Sequence, residues 1–526
     1  MFDMLIRGAD VIDGTGTPAF QADVAVKGGK ITLIRNGQIP EAKQVIDAAG
    51  MCVCPGFIDA HSHGDTHIGQ PYTNLSKTTQ GITTEIAGHC GESNFPSPAD
   101  PEFFRQHVEH RPVIGRLGYE TTSSFANFRK YMESQPKTTN YQQFVGHRSL
   151  RLSAMGFAAR TATAKELDTM KGLLREAMES GCRGMTTGLT YPPSGFADEH
   201  EITELLKVIE PFDGIYCSHI RNEADDVCES VKEMLDCARN AGVRAHISHH
   251  KISGVENWGR SVETLKMVDD AIAAGHEVAL DIYPYTACMT GLSVCLPITE
   301  FEYGLEARIA RLKDPKIRKE IAAEMVQHYR QYSQLTDFDD IMVVYVTGMP
   351  ECNGKTIAEI ATMRGADPFD TYFDLLVETR FAVSAVFFAM HEDDLCRIFM
   401  HDRTMIGTDG LVYAMEGDTH PRGYGTFPRA INYFVREKKL VTLEQAIYKM
   451  TGLTANWFNV PNKGFVKDGF DADLLIFDPN TIAEGNSFAE STKTAIGISH
   501  VIVDGQIVCQ NGILTGVYPG KVLLHK

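Results

Sequence analysis

Residues 230–250 and 261–285 read SVKEMLDCARNAG-VRAHISHH and SVETLKMVDDAIAAG-HEVALDIYPY. Each stretch begins with a segment of helical periodicity that ends at a glycine and leads directly into a short apolar, strand-like segment. The same order occurs earlier, where Thr163 and Glu166 predict a capping box for a helix that ends at Gly181 and precedes the strand-like CRGMTTGLTY. Helices that alternate with strands indicate βαβ units and a parallel sheet, so the predicted fold class is α/β.

From this alternation we predict a TIM-like (β/α)8 barrel over residues 55–455. Residues 1–54 and 456–526 instead alternate short apolar runs with Gly and Asp turns, as in DVAVKGGKITLI and DADLLIFDP. This alternation of apolar runs and turns is typical of short strands, and we predict that the two ends of the chain form one small β-sandwich domain. Residues from about 290 to 385 are long, charged and helical, which predicts an insertion near the barrel mouth.

Composition narrows the classes of partner. The chain has 526 residues, of which 43% are hydrophobic and 22% charged, and its 50 basic and 68 acidic residues give a net charge of −18. This acidity argues against nucleic acid or an anionic membrane as the main partner. The sequence has no apolar run long enough to span a bilayer and no signal peptide at MFDMLIRGADVIDG, so we expect a cytoplasmic protein. The 12 cysteines are scattered, and most are expected to be buried thiols.

The sharpest motif is PGFIDAHSH, residues 55–63. Alternate residues of a strand point to one face, so Asp59, His61 and His63 are expected to project together. Two neutral imidazoles at this spacing can bind one metal ion, and the aspartate can orient a ligand by a hydrogen bond. A lone HxH pair is more often a surface or core feature, but the apolar strand and the aligned aspartate favour a metal site.

A second candidate is AGHCGES, residues 87–93, which follows the strand-like GITTEI. Cys90 is expected to be exposed enough at the strand end to bind metal as a thiolate, a soft ligand suited to Zn²⁺. A single cysteine here is more often structural. His89 competes for the same role, although it is expected to point to the opposite side of the strand.

Three further strand-like segments end in a candidate ligand. IYCSH ends at His219, AHISHH contains His249, and MIGTDG contains Asp409. Each is weak alone, because a strand-end histidine is usually structural and Asp-Gly is usually a turn. Taken together, the motifs predict successive strand ends that carry His61, His63, Cys90, His219, His249 and Asp409.

This pattern resembles the amidohydrolase superfamily. GHCGES, SHHK and HPRGYGTFPR (residues 420–429) are similar to the N-acyl-D-amino-acid deacylase (D-aminoacylase) branch. The resemblance covers nearly the whole chain and is weakest in the insertion. It implies an enzyme that hydrolyses the linear amide bond of a small-molecule N-acyl-D-amino acid to a carboxylate and a free D-amino acid.

The resemblance also implies how metal is held. One tightly bound Zn²⁺ is expected on Cys90, His219 and His249. A second, weaker site uses His61, His63 and Asp409, with Cys90 bridging. Elementary chemistry agrees, because three protein ligands leave a position for a water whose pKa the metal lowers towards about 7. Asp409 is then expected to be the general base, which takes the proton of this water and returns it to the departing amine.

Residues at matching positions in the family hold the substrate carboxylate, which implies this role for Lys251, Arg422 and Tyr283. Lys251 shares the face of the preceding ligand histidine if the strand continues, and an arginine fork suits a planar carboxylate. Tyr191 matches a tyrosine that contacts substrate. The structural alternatives are that Lys251 and Arg422 are solvated side chains and that Tyr283 packs against the barrel. The sequence departs from the family at Met289, where a small hydroxyl residue is expected, and this leaves the side-chain preference open.

Two other functions are weighed against this one. A cyclic-amide hydrolase of the dihydroorotase or hydantoinase type has the same barrel but bridges two metals with a carboxylated lysine, and GCRGMTTGLTY, residues 181–191, contains no lysine. A cyclic substrate on a single-zinc site stays open. A non-catalytic binding protein built on the barrel is expected to have lost ligands, whereas all six are present. The sequence leaves the oligomeric state open.

Overall fold

The computed structural model describes residues 1–35, 40–328, 338–346, 348–412 and 419–525. Parts of the predicted domains therefore lie outside the described residues: 36–39 and 526 of the small domain, 329–337 and 347 of the insertion, and 413–418 of the barrel. Helices alternate with strands through the middle of the chain, which confirms the predicted α/β class.

The two ends of the chain meet in one nine-stranded sheet. Its strands are β1 (Phe2–Val11), β2 (Phe20–Lys27), β3 (Lys30–Ile34), β4 (Ala42–Asp47), β5 (Cys52–Pro55), β19 (Leu474–Phe477), β20 (Ile498–Val503), β21 (Gln506–Gln510) and β22 (Ile513–Leu514). The order is β22-β21-β20-β19-β5-β1-β2-β3, with β4 beside β1. The antiparallel pairing of β19 with β5 joins the C-terminal strands to the N-terminal ones.

Short parallel strands carry the middle of the chain: β6 (Phe57–Ser62), β7 (Ile82–Ala87), β8 (Asn140–Gln143), β9 (Val145–Gly146), β10 (Gly184–Gly188), β11 (Ile215–His219), β12 (Arg244–Ile247), β13 (Val278–Ile282) and β18 (Thr404–Ile406). They pair in the orders β8-β7-β6 and β9-β10-β11-β12-β13-β18. Only Phe144 separates β8 from β9 along the chain. The backbone N–H of Asp409 donates to the carbonyl of His61 at 2.8 Å, so the end of β18 meets β6. The C-terminal β23 (Val522–Leu523) pairs with β8.

The helices connect and cover these strands. They are α1 (Pro71–Thr78), α2 (Pro101–His110), α3 (Pro112–Leu117), α4 (Tyr119–Thr122), α5 (Phe125–Ser134), α6 (His147–Met155), α7 (Ala164–Glu179), α8 (Glu199–Ile209), α9 (Val227–Ala241), α10 (Ser261–Ala273), α15 (Glu392–Met400), α16 (Arg422–Arg429), α17 (Leu443–Met450) and α18 (Gly452–Phe458). In α7 the buried Leu167, Met170 and Leu174 recur every three or four residues and join the main core. Burying each such side chain contributes about 2 kcal/mol.

The predicted helix starts are mostly accurate. The capping boxes at Thr163 and Thr442 are both present, because each threonine accepts from the third helical N–H and receives a reciprocal side-chain contact. The helix predicted from Ser230 begins earlier, at Val227. β12 ends at Ile247, so the strand that was to carry Lys251 on the face of its ligand histidine does not continue that far.

The segment between β13 and β18 has a sheet and a core of its own. β14 (Cys288–Gly291), β17 (Val383–Phe387), β15 (Ile341–Val346) and β16 (Lys355–Thr356) are antiparallel and pair in that order. Four helices accompany them: α11 (Leu305–Leu312), α12 (Pro315–His328), α13 (Ile357–Arg364) and α14 (Pro368–Glu378). In the part of the chain that the structure describes, no helix is long and apolar enough to cross a membrane.

Candidate active site

The carboxyl ends of five parallel strands bring the six predicted metal ligands together. Their donor atoms form two groups, and within each group all donors lie within 4.8 Å of one another. One group is His61, His63, Cys90 and Asp409, and the other is Cys90, His219 and His249. Cys90 belongs to both, which matches the bridging position expected for it.

A tight backbone turn aims Cys90 at the strand ends. Its φ is 54°, and a Cβ on the following Gly91 would lie 2.7 Å from the backbone nitrogen of Gly188, so only glycine fits there. The sulfur lies 3.3 Å from Nε2 of His61 and 3.4 Å from Nε2 of His249. Burial raises the pKa of the Cys90 thiol. A cation is therefore needed to hold it as a thiolate.

His219 is the clearest sign that a ligand completes this site. Its ring meets that of His249 edge-on at 4.4 Å, yet neither of its nitrogens has a hydrogen-bond partner among the described residues, although the side chain is buried. A buried polar group without a partner costs about 1–3 kcal/mol. Burial lowers the pKa of His219, so the ring is neutral, as a metal ligand must be. The sulfur of Cys90 and the imidazoles of His219 and His249 fit Zn²⁺.

Asp409 lies between two histidines, His61 and His63, and the guanidinium of Arg422. Its Oδ1 lies 3.1 Å from Nε2 of His63 and 3.5 Å from Nε2 of His61, and its Oδ2 forms a 2.9 Å ion pair with Arg422. Burial alone would raise the pKa of the Asp409 carboxyl, but the charge of Arg422 and the contacts with the neighbouring histidines hold it well below its usual range. The carboxylate is therefore ionised at neutral pH and able to accept a proton.

Asp59 was expected to orient a ligand side chain, but its carboxylate accepts hydrogen bonds from backbone N–H groups instead. Its carboxylate accepts from the backbone N–H of Thr408 at 2.7 Å and of His61 at 3.2 Å, and it pairs with the buried Lys77 at 2.8 Å. Because Thr408 precedes Asp409, these contacts fix the end of β18 against β6.

A second aspartate that contacts a candidate ligand imidazole is Asp281, which the sequence reasoning missed. It is fully buried, and its Oδ2 lies 3.4 Å from Nδ1 of His61 and 2.7 Å from Nε2 of His246. Its Oδ1 accepts from the backbone N–H of His249 at 3.0 Å. With Nδ1 of His61 facing this carboxylate, Nε2 is presented to the ligand group. The signal was an acidic residue inside the apolar strand ALDIYPY.

His89, the alternative to Cys90 as a metal ligand, lies behind the predicted ligands. Its ring stacks on that of His61 with centroids 4.1 Å apart. The side chain is fully buried and belongs to neither ligand group in the described ranges. The expectation that it points away from the site agrees with this position.

The four predicted substrate-binding residues divide between two places. A cavity of about 1680 Å³ opens beside the ligands, and its wall includes Tyr191 and Arg422 together with Met289. The Tyr191 hydroxyl makes a 3.1 Å hydrogen bond with Thr290 at the same wall. Lys251 and Tyr283 lie behind His249 around a separate small void. The guanidinium of Arg422 lies over the Tyr283 ring at 4.7 Å and connects the two places.

Comparison with known proteins gives full-length matches. Residues 44–509 match the model of a family described as the amidohydrolase family. A D-aminoacylase from Alcaligenes xylosoxydans xylosoxydans is 33% identical over 529 residues, covering 99% of this chain and 97% of that protein. An N-acyl-D-glutamate deacylase from the same organism is 35% identical over 506 residues, covering 96% and 93%.

Solved structures give the same result. The crystal structure of N-acyl-D-glutamate deacylase from Bordetella bronchiseptica, complexed with zinc and a phosphonate inhibitor that mimics the tetrahedral intermediate, has a TM-score of 0.82 and 35% identity over 100% of both chains. An L-hydantoinase from Arthrobacter aurescens has a TM-score of 0.55 at 14% identity over 100% of both chains, and this similarity shows the fold alone.

Proposed function

The chain belongs to the amidohydrolase family, and we propose that it is a zinc-dependent hydrolase of N-acyl-D-amino acids. Water adds across the linear amide bond and gives a carboxylate and a free D-amino acid. The observation that carries this proposal is the convergence of one thiol, four imidazoles and one carboxylate at the strand ends. Full-length similarity to deacylases of N-acyl-D-amino acids supports the substrate class.

For the architecture, we propose a (β/α)8 barrel over residues 55–455 that carries the site at the carboxyl ends of its strands, where such barrels keep their active sites. The two runs of paired strands, β6-β7-β8 and β9-β10-β11-β12-β13-β18, follow each other with only Phe144 between β8 and β9, and Asp409 contacts His61 at the other end; both observations support a closed ring. Residues 1–54 and 456–526 form the small β domain, apart from β23. The segment 290–385 is an insertion that supplies part of the cavity wall, including Val294 and Phe381.

The metal-binding roles follow the two ligand groups. Cys90, His219 and His249 hold the tightly bound zinc, and His61, His63 and Asp409 form a weaker second position that shares the sulfur. A zinc ion bound here supplies a Lewis acid and lowers the pKa of a coordinated water. This assignment is supported by the buried imidazole of His219, which has no hydrogen-bond partner among the described residues, and by the sulfur between His61 and His249.

Asp409 moves the proton. Its carboxylate is ionised and lies within the ligand group, so it accepts the proton of the attacking water and returns it to the leaving nitrogen. His63 and Arg422 contact opposite oxygens of the carboxylate and restrict its orientation.

Arg422 binds the substrate carboxylate. Its guanidinium lines the cavity next to Asp409 and also donates to the carbonyl of Met289 at 3.2 Å, which leaves donors for a planar anion. Tyr191 lines the same cavity and contacts the substrate. Lys251 and Tyr283 support the anion site from behind Arg422, with a positive charge and an aromatic ring.

The cyclic-amide alternative has weaker support. β10, the strand where those enzymes carry a bridging lysine, reads GMTTG, and the similarity to a hydantoinase is one of fold alone. A non-catalytic role is not supported, because all six ligand residues are present and close together. A cytoplasmic location and the expected absence of nucleic-acid and membrane partners stay predictions.

The test is amine release by the zinc-loaded protein from N-acetyl-D-methionine, N-acetyl-D-glutamate and their L counterparts. We expect cleavage of at least one D substrate and less than about a hundredth of that rate for the matching L form. Dihydrouracil and hydantoin serve as cyclic controls. Turnover of a cyclic control without any cleavage of the linear substrates would contradict the proposal.

A further inference from the structure

A single buried carboxylate, Glu223, contacts three groups of the site. It lies in the loop between β11 and α9, and its surface is 6% exposed. Its Oε1 lies 2.6 Å from Nζ of Lys251 and 3.2 Å from Nδ1 of His249, and its Oε2 lies 3.6 Å from Nε2 of His219. We propose that Glu223 is a positioning residue that keeps His249 in its metal-binding form and holds Lys251 beside it, an inference that rests on the proposed function for the role of Lys251.

The two ring nitrogens of His249 have different neighbours. Nε2 lies 3.4 Å from the sulfur of Cys90, whereas Nδ1 faces Glu223. A neutral imidazole carries its proton on one nitrogen and a lone pair on the other. A carboxylate beside Nδ1 keeps the proton there and leaves the lone pair of Nε2 for the metal.

Lys251 makes this carboxylate necessary. Its Nζ lies 2.7 Å from the same Nδ1 of His249, and an ammonium can only donate. Without an acceptor, the ammonium favours the opposite tautomer, in which Nε2 carries the proton and has no lone pair for metal. Glu223 accepts from Lys251 at 2.6 Å and lies 3.2 Å from Nδ1 of His249. It therefore draws the ammonium away from Nδ1 and supplies the acceptor that the metal-binding tautomer needs.

The backbone around Glu223 is anchored to the neighbouring loop. The carbonyl of Glu223 accepts from the N–H of Ser253 at 2.8 Å, which ties the loop after β11 to the loop after β12. The Asn222 side chain accepts from the N–H of Ala224 at 2.7 Å and shapes the turn. In the described part of the cavity wall, neither Glu223 nor Lys251 takes part. Glu223 therefore acts through its neighbours rather than by touching substrate.

The first test measures zinc affinity without substrate, by competition between the protein and a chelator at one neutral pH. In Glu223→Gln the zinc Kd is expected to rise about 10–100-fold, the usual cost of losing a partner of a ligating histidine. The matched control is Glu201→Gln. Glu201 is another buried carboxylate, 2.8 Å from a ring nitrogen of His147 and 2.6 Å from Arg151, and its variant should keep the wild-type Kd.

Removing the lysine isolates the cause. In Lys251→Met the zinc Kd should stay within twofold of wild type. In the double variant Glu223→Gln with Lys251→Met, most of the lost affinity should return, because the competing ammonium is gone and the amide oxygen can still accept from Nδ1. A double variant as weak as Glu223→Gln alone would overturn the tautomer argument.

Two further outcomes would overturn the proposal. One is a zinc Kd in Glu223→Gln within twofold of wild type, and the other is an equal loss in Glu201→Gln, which would point to general unfolding. If Glu223→Gln does not fold, the zinc Kd of Glu223→Asp is measured in its place. This variant keeps the charge on a shorter side chain and should raise the zinc Kd several-fold, so an unchanged Kd would then refute the proposal.

Steady-state kinetics test the substrate side separately. Lys251→Met should raise KM for N-acetyl-D-methionine several-fold with little change in kcat, because it removes a positive charge that supports the anion site from behind Arg422. An unchanged KM would remove Lys251, and with it that part of the role of Glu223. Because the zinc measurements use no substrate, they decide the role of Glu223 toward His249 even if the amide substrate is misassigned.

Discussion

Two buried carboxylates in this protein have the same kinds of neighbour and serve different ends. Glu201, in α8, contacts one histidine and one arginine of α6, His147 and Arg151. Glu223 contacts a histidine, His249, and a lysine, Lys251, and its other oxygen lies 3.6 Å from a second histidine, His219. Residue type and burial therefore do not distinguish a structural cluster from a functional one.

The two clusters differ in whether the ring nitrogens of their histidines have hydrogen-bond partners in the protein. Both ring nitrogens of His147 have protein partners, Ser194 at 3.2 Å and Glu201 at 2.8 Å. Beside Glu223, the outer nitrogen of His249 lies 3.4 Å from the sulfur of Cys90, and within the described ranges His219 has no hydrogen-bond partner. The first cluster is a closed network that stabilises the fold, whereas the second needs a ligand from outside the chain.

Cys90→Ala should produce the largest effect, because the sulfur is shared by both ligand groups. We expect loss of most zinc per chain and a fall in kcat/KM of about 10³-fold or more, since the metal supplies several kcal/mol of transition-state stabilisation. Metal analysis of the purified protein measures this. Cys182→Ala, at another buried cysteine, is the control and should keep its zinc. Full zinc content in Cys90→Ala would remove Cys90 from the ligands.

Asp409→Asn separates the two halves of the site. The tightly bound zinc on Cys90, His219 and His249 should remain, while kcat falls about 10²–10⁴-fold because the amide cannot take the proton. Zinc analysis and turnover are measured on the same sample. Activity near the wild-type level would contradict the role of Asp409 as general base.

Arg422→Lys tests the anion site with a smaller change. The lysine keeps the charge but loses the planar fork, so kcat/KM for N-acetyl-D-methionine should fall about tenfold or somewhat more. The same variant is assayed with the carboxamide analogue of the substrate, which has no carboxylate to bind. An equal loss with both compounds would show that Arg422 acts through Asp409 rather than on the substrate anion.

Glu201→Gln should have the smallest effect on the site and a clear effect on the fold. Burial alone would raise the pKa of Glu201, but His147 and Arg151 lower it to about 2. A lowered pKa stabilises the folded state above about pH 4.5, and this contribution is lost as the pH falls towards 2. Breaking the buried pair should cost about 3 kcal/mol at pH 7. Denaturant unfolding at pH 7 and pH 3 tests this, and a loss that is no smaller at pH 3 would contradict it.

The grouping of the six predicted metal ligands was predictable because strand ends leave a local pattern. HSH, GHC, CSH, SHH and TDG each follow an apolar run, and parallel strands deliver their carboxyl ends to one edge. The α/β class followed from the same rhythm of helices and strands. The helix starts at Thr163 and Thr442 were predictable because a capping box is complete within four residues.

Residues that act through their neighbours left no such pattern. Lys251 was expected on the face of His249, but β12 ends at Ile247 and the backbone of His249 turns to a φ of 35°. Its charge therefore meets Glu223, which lies 28 residues away along the chain, instead of the open cavity. The position of the lysine depends on where the strand stops, and that is decided by packing.

Short segments of the sequence determined the order of strands and helices and the residue types of the candidate metal site. The reason is that strand alternation, helix capping and turn chemistry act over a few neighbouring residues. The assignment of Asp281 to His61, of Glu223 to His249 and Lys251, and of Arg422 to Asp409 appeared only in the folded chain. These pairs join loops and strands far apart in sequence. Their geometry depends on how the strands and loops pack together and on burial, which excludes water, so that a buried charge is stable only with a partner.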